Sequence, residues 1–152
     1  MKILVGTNLF YPLYGGGEKC VIDWFSDFVK MGHEVTVITT MPDIIGYEKE
    51  FPFEVIRLNP AHPYNEVIGD YRKQTLHMNS QYALSLSNTA LDKRHYSMLL
   101  GLEKIKDREF DIYIGYGKWG SCMKQEGLSF CSVLKEKFPH IITLSLIWEY
   151  NT

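Results

Sequence analysis

The sequence predicts an α/β fold: a Rossmann-like doubly wound parallel sheet in three layers, α/β/α, forming a single domain over residues 1–152. Three observations carry that expectation. Short β-branched apolar runs alternate with segments of helical period. A run of three glycines stands between the first such strand and the first helix. At 152 residues the chain can bury one substantial core but is too short for two ordinary catalytic domains.

Lys2 to Thr7 is a nearly continuous apolar run that ends in polar residues, as a strand covered on both faces of a parallel sheet reads. After Gly15-Gly16-Gly17-Glu18, the residues Cys20, Val21, Trp24, Phe25, Phe28 and Val29 recur at helical spacing, so an amphipathic helix starts at the glycines. Gly32 is its stop signal, and Glu34 to Thr39 follows at once as a second strand, parallel and adjacent to the first. Residues 42–52 read as a loop, Phe53 to Leu58 as a third strand, and Asn59-Pro60-Ala61-His62-Pro63 as a break.

From Tyr64 to Glu109 the pattern is helical, with Asn79-Ser80 and Asn88-Thr89 as caps, and the number of helices is left open at two or three. Asp111 to Gly115 is a fourth strand, Trp119 to Phe138 one further helix with Leu128, Cys131, Leu134 and Phe138 on a face, and Ile141 to Trp148 a fifth strand. An ending just after a central strand leaves a sheet face and edge without their usual cover, which suggests a truncated chain. The mixed-sign clusters Asp92-Lys93-Arg94 and Glu103 to Glu109 read as solvated helix faces.

Composition excludes several function classes. With 45% hydrophobic and 22% charged residues the chain is globular rather than disordered, and 16 basic against 18 acidic residues leave no basic field for a nucleic acid. The three cysteines share no disulfide or zinc spacing, which suits a reducing cytosol. The apolar opening is too short for a signal peptide, and no stretch approaches the roughly 20 apolar residues of a membrane helix. The expected location is the cytoplasm, a peripheral place at a membrane included. The five histidines are scattered without ligand or triad spacing, no Gly-x-Ser-x-Gly elbow and no convincing carboxylate pair are present, and no metal is expected.

The glycine run carries the most chemistry. Without Cβ atoms, Gly15, Gly16 and Gly17 let the backbone approach a ligand, and their amides add to the positive end of the following helix, a site for an anion such as a diphosphate. The run matches neither GxxxxGK[ST] nor GxGxxG, and by itself it serves a tight strand-to-helix turn as well as it serves ligand contact. A literal GxGxxG does occur at Gly115-Tyr116-Gly117-Lys118-Trp119-Gly120. Against a dinucleotide there, Trp119 is bulky where close helix packing is wanted, and the first acidic residue beyond the next strand is Glu149, past the spacing of about 20 residues expected of a ribose-binding carboxylate.

Tyr11-Pro12-Leu13-Tyr14-Gly15-Gly16-Gly17-Glu18, followed by a helix and by Gly32-His33-Glu34-Val35-Thr36-Val37-Ile38-Thr39, resembles the opening of family 4 retaining glycosyltransferases; Phe110 to Tyr116 resembles that family's Asp-led fourth strand more weakly. The resemblance implies the N-terminal half of a GT-B enzyme whose C-terminal, donor-binding domain lies outside this chain. It also implies a nucleotide-sugar donor as substrate, no metal or other cofactor, and no turnover by this half alone. Gly15, Gly16, Gly17 and Glu18 would face the donor diphosphate, and Tyr11, Tyr14, Tyr116, Lys118 and Trp119 would be the acceptor side. The sequence departs from the family where histidines often stand near the ends of strands four and five: here those places hold Ile114 and Tyr116, and Trp148 and Glu149.

Two other readings stay open beside it. A nucleotide-binding domain would take NAD(P) or S-adenosylmethionine at Gly115 to Gly120. A non-enzymatic interaction module would dock, or dimerise, through its exposed sheet edge.

Overall fold

A computed structural model of the chain describes residues 1–8, 10–12, 16–65, 90–120 and 129–146, leaving aside the side chains of 16–18, 90–96 and 118. Five strands, β1 (Lys2–Thr7), β2 (Glu34–Thr39), β3 (Glu54–Arg57), β4 (Ile112–Tyr116) and β5 (Ile142–Leu146), form one all-parallel sheet in the order β3-β2-β1-β4-β5. Helices α1 (Gly16–Lys30), α2 (Ala90–Ile105), α3 (Gly117–Gly120) and α4 (Phe130–Lys137) connect them. This is a single-domain Rossmann-like α/β fold.

Alternation along the strands sends side chains into two core layers. Ile3 and Val5 of β1, Val35 and Val37 of β2, and Ile114 of β4 pack with Val21 and Phe25 of α1. Leu4, Ile38 and Tyr113, one residue out of phase, pack on the other face with Met98 of α2 and with Phe130 and Leu134 of α4. Strands β1 and β2 are buried on both faces after their first residue, which is why they read as continuous apolar runs.

Helix α1 begins at the glycines and ends in a Schellman motif. Gly32 sits at φ 91°, its amide donates to Val29 O (3.0 Å), and the His33 amide donates to Phe28 O (3.0 Å). Only a residue free to take positive φ closes a helix this way, and β2 starts two residues later.

Several boundaries differ from the sequence expectation. Strand β3 is shorter by Phe53 and Leu58, because Phe53 turns into the core against Phe10, Phe25 and Phe51. The helical pattern expected to reach Glu109 stops at Ile105, where the chain turns to enter β4; the charged residues 106–109 are not helical. Among the described residues the single helix expected from Trp119 to Phe138 is two, α3 and α4. Ser129 stands in extended conformation (φ −118°, ψ 160°) and caps α4: its hydroxyl accepts from the Ser132 amide, and the Ser132 hydroxyl accepts from the Ser129 amide. A reciprocal capping box is a helix start, so α4 begins anew at Ser129 and does not continue α3. Strand β5 is the outer strand of the described sheet rather than a central one, and its Ile142 and Leu144 are 60% and 50% exposed. Asn79-Ser80, Asn88-Thr89, Leu128, Trp148 and Glu149 lie outside the described residues. Among the described residues no helix is long and apolar enough to cross a membrane.

Candidate functional site

The strand order reverses between β1 and β4. From β1 the chain proceeds to β2 on one side, and from β4 to β5 on the other, so the two connections diverge at the carboxyl ends of the strands, the place where open α/β sheets form their ligand crevice. Gly6 pairs with Gly115, so Thr7-Asn8 and Tyr116-Gly117 leave the sheet side by side.

The floor of this crevice is built from glycines that interlock. Gly117 has φ 68°, and a Cβ there would overlap the side-chain oxygen of the buried Asn8. A Cβ on Gly120 would overlap the carbonyl oxygen of Gly6, and one on Gly6 would overlap the hydroxyl of Tyr113. That hydroxyl, on a fully buried ring, donates to Gly120 O at 2.6 Å. The three glycines and Tyr113 thus press α3 directly onto β1. Glycine is required at these places by internal contacts, so the last two glycines of the literal GxGxxG have a structural cause without any ligand.

Trp119 is not at the rim of the crevice, contrary to the expectation for an acceptor-side residue. It is 3% exposed, stacks on Phe130 with ring centroids 4.5 Å apart, and donates from Nε1 to Ser97 Oγ at 2.9 Å. With Gly120 pressed onto Gly6, the short turn of α3 drives the indole into the core layer shared with α2 and α4. The close packing for which Trp119 looked too bulky is achieved at Gly120 instead.

The other expected site residues fall in three groups. Gly16, Gly17 and Glu18 form the first turn of α1, where the leading backbone amides of a helix have no intrahelical partner. Tyr11 and Tyr116 are half-buried, the first in the connection leaving β1 and the second the last residue of β4. Lys118 is placed by its backbone in α3 with its side chain outside the description, and Tyr14 and Gly15 lie outside the described residues.

Arg57 escaped the sequence reading and holds this edge together. At the end of β3 its side chain is 11% exposed, and Nε pairs with Asp43 Oδ1 at 2.7 Å. Nη1 donates to Met41 O (3.0 Å) and Pro42 O (3.2 Å), and Nη2 donates to Tyr11 O (2.9 Å). The guanidinium also lies 5.5 Å from the centre of the Phe10 ring. Burial lowers the Arg57 pKa from its usual value and Asp43 opposes the shift; a guanidinium starts so high that it stays charged at neutral pH. One side chain therefore ties the connections after β1 and β2 to the end of β3. An arginine closing an apolar strand is the only local hint, because its partners come from two other connections.

Beside Arg57 lies a cleft lined by Asp43, Lys49, Phe51, Arg57 and Asn59. The Lys49 ammonium sits 5.2 Å from the centre of the Tyr11 ring and 5.4 Å from that of Phe51. At the opposite, amino edge the charged groups serve the fold: Asp111 accepts from the Lys2 amide at 2.6 Å, and Arg108 bridges Glu54 (2.7 Å) and Thr36 (3.0 Å). Among the described residues no three His, Cys, Asp or Glu side chains converge on a place for a metal ion. No protein-family model matches the chain, and neither a curated protein nor a solved structure does.

Proposed function

We propose that this domain is the acceptor-side half of a cytoplasmic glycosyltransferase that moves a sugar from a nucleotide-sugar donor to an acceptor hydroxyl. The observation that carries the reading is the first turn of α1, Gly16-Gly17-Glu18, opening at the carboxyl edge beside the point where β1 and β4 diverge. Free amides and the positive helix end suit a departing diphosphate, whose developing charge they would stabilise. Tyr11, in the connection leaving β1, and Tyr116, the last residue of β4, would orient the acceptor against the anomeric carbon. The donor nucleotide would be held mainly by a second α/β domain, and the present chain alone would not turn over.

The NAD(P) or S-adenosylmethionine reading is the weaker one. In a dinucleotide site the second glycine is kept bare for the pyrophosphate, whereas here Gly117 is bare for Asn8. The interaction-module reading draws on the exposed Ile142 and Leu144 of the outer strand β5; concentration-dependent dimerisation in light scattering, lost in Ile142→Lys, would favour it.

The test is the reading frame downstream of Thr152, followed by nucleotide-sugar turnover of the longest product it encodes. The proposal expects a second α/β domain with two glutamates seven residues apart, and turnover that collapses in Gly16→Val while the melting temperature holds. A nucleotide-sugar panel that yields no turnover, or turnover indifferent to Gly16→Val, would overturn it.

A further inference from the structure

We propose that the cleft at the carboxyl end of β3 is a binding site for a neutral saccharide, with Lys49 and Asp43 as its hydrogen-bonding pair. Its volume is about 540 Å³, within the range of small-molecule sites and roomy for one or two sugar rings. The chemistry of the walls selects the ligand class by elimination.

Lys49 supplies a strong donor. Among the described residues its ammonium group rests on the Tyr11 and Phe51 rings rather than on a carboxylate. Asp43 supplies a strong acceptor: Oδ1 is held by Arg57, which fixes the carboxylate, yet the side chain is 53% exposed toward the cleft. An anionic ligand, though drawn by Lys49, would lie beside the half-exposed Asp43 carboxylate. A cationic one would meet Lys49 and Arg57. A purely apolar ligand would strip water from both charges and return no hydrogen bond. A polyol satisfies donor and acceptor at once through neighbouring hydroxyls, with charge-assisted bonds at either end. Phe51, stacked on Phe53 at 5.3 Å and 19°, fixes the ring beneath the Lys49 ammonium and so helps to hold the donor in place.

Arg57 is the positioning residue of this arrangement. It holds Asp43 by its ion pair and Tyr11 by its carbonyl, so the acceptor group and the ring under Lys49 are fixed by one buried guanidinium. That the bound sugar is the acceptor of a transfer rests on the function proposed above; the binding itself does not.

The experiment is saturation-transfer NMR on the full chain with glucose, galactose, mannose and N-acetylglucosamine, and in parallel with inorganic phosphate and cyclohexanol. At least one sugar is expected to bind saturably, with a Kd on the order of 1 mM, and Lys49→Met to weaken it ~10-fold or more at an unchanged melting temperature. Asp43→Asn should weaken it likewise, with its melting curve recorded because the Arg57 ion pair is lost too. Absence of binding by all four sugars, preference for phosphate or cyclohexanol, or equal affinity in wild type and Lys49→Met would overturn the inference. Sugar binding that depends on Lys49, with no nucleotide-sugar turnover by the longest product of the reading frame, would sink the transferase reading and leave the saccharide cleft in place.

Discussion

Replacing Gly6 with alanine drives a methyl group into the Tyr113 hydroxyl, and removing that hydroxyl should relieve part of the damage. The added Cβ would overlap Oη and stand 2.9 Å from both Cε2 and Cζ of the ring, which is fully buried between β1, α3 and α4. Overpacking of a tight core site costs about 1–3 kcal/mol, so Gly6→Ala should lose at least that much. Tyr113→Phe abolishes the 2.6 Å bond to Gly120 O and leaves that carbonyl short of a partner, at a cost of about 1–3 kcal/mol. In Gly6→Ala/Tyr113→Phe the worst overlap is gone while the two ring carbons remain close. The double variant should therefore be more stable than the sum of the singles predicts, by about 0.5–3 kcal/mol. Urea denaturation of the four proteins, with slopes compared to confirm like transitions, reads the coupling directly. Single costs that add to within about 0.5 kcal/mol would show that Gly6 and Tyr113 do not meet as described, and the interlocked crevice floor would fall with them.

Three more expectations follow from individual contacts. Trp119→Ala should cost about 3–5 kcal/mol in the same urea titration, the price of a buried indole, whereas a rim residue would lose little. Arg57→Met should cost about 2–3 kcal/mol for its charge-assisted bonds, the exposed Asp43 limiting the loss, and should speed amide exchange near Met41 and Tyr11. The hydrogen bond from Lys106 lowers the Glu103 pKa, so its contribution to stability is complete above the unfolded-state value and is lost as pH falls through the lower folded one; an NMR titration should place Glu103 below the ordinary range and return it there in Lys106→Met.

Local pattern in the sequence determined which segments became strands and where the first helix began and ended. Burial on both faces writes a continuous apolar run at Lys2 to Thr7 and Glu34 to Thr39, and a helix that must stop takes a glycine at position 32. These features depend on neighbours within a few residues, so the one-dimensional record holds them. The same local reading failed where a start signal was weak: Ser129 and Ser132 cap one another without the usual glutamate, and two helices looked like one. Contacts between segments distant in sequence decided the rest. Gly117 reads as part of a phosphate loop until Asn8 is seen against it, Gly120 until it is seen on Gly6, and Trp119 as an acceptor-side residue until Phe130 and Ser97 enclose it. Arg57 carries no motif at all, yet it binds three backbone carbonyls from two connections. A side chain's role at the carboxyl edge depends on which loops the sheet order brings beside it, and that neighbourhood exists only once the five strands have assembled in the order β3-β2-β1-β4-β5.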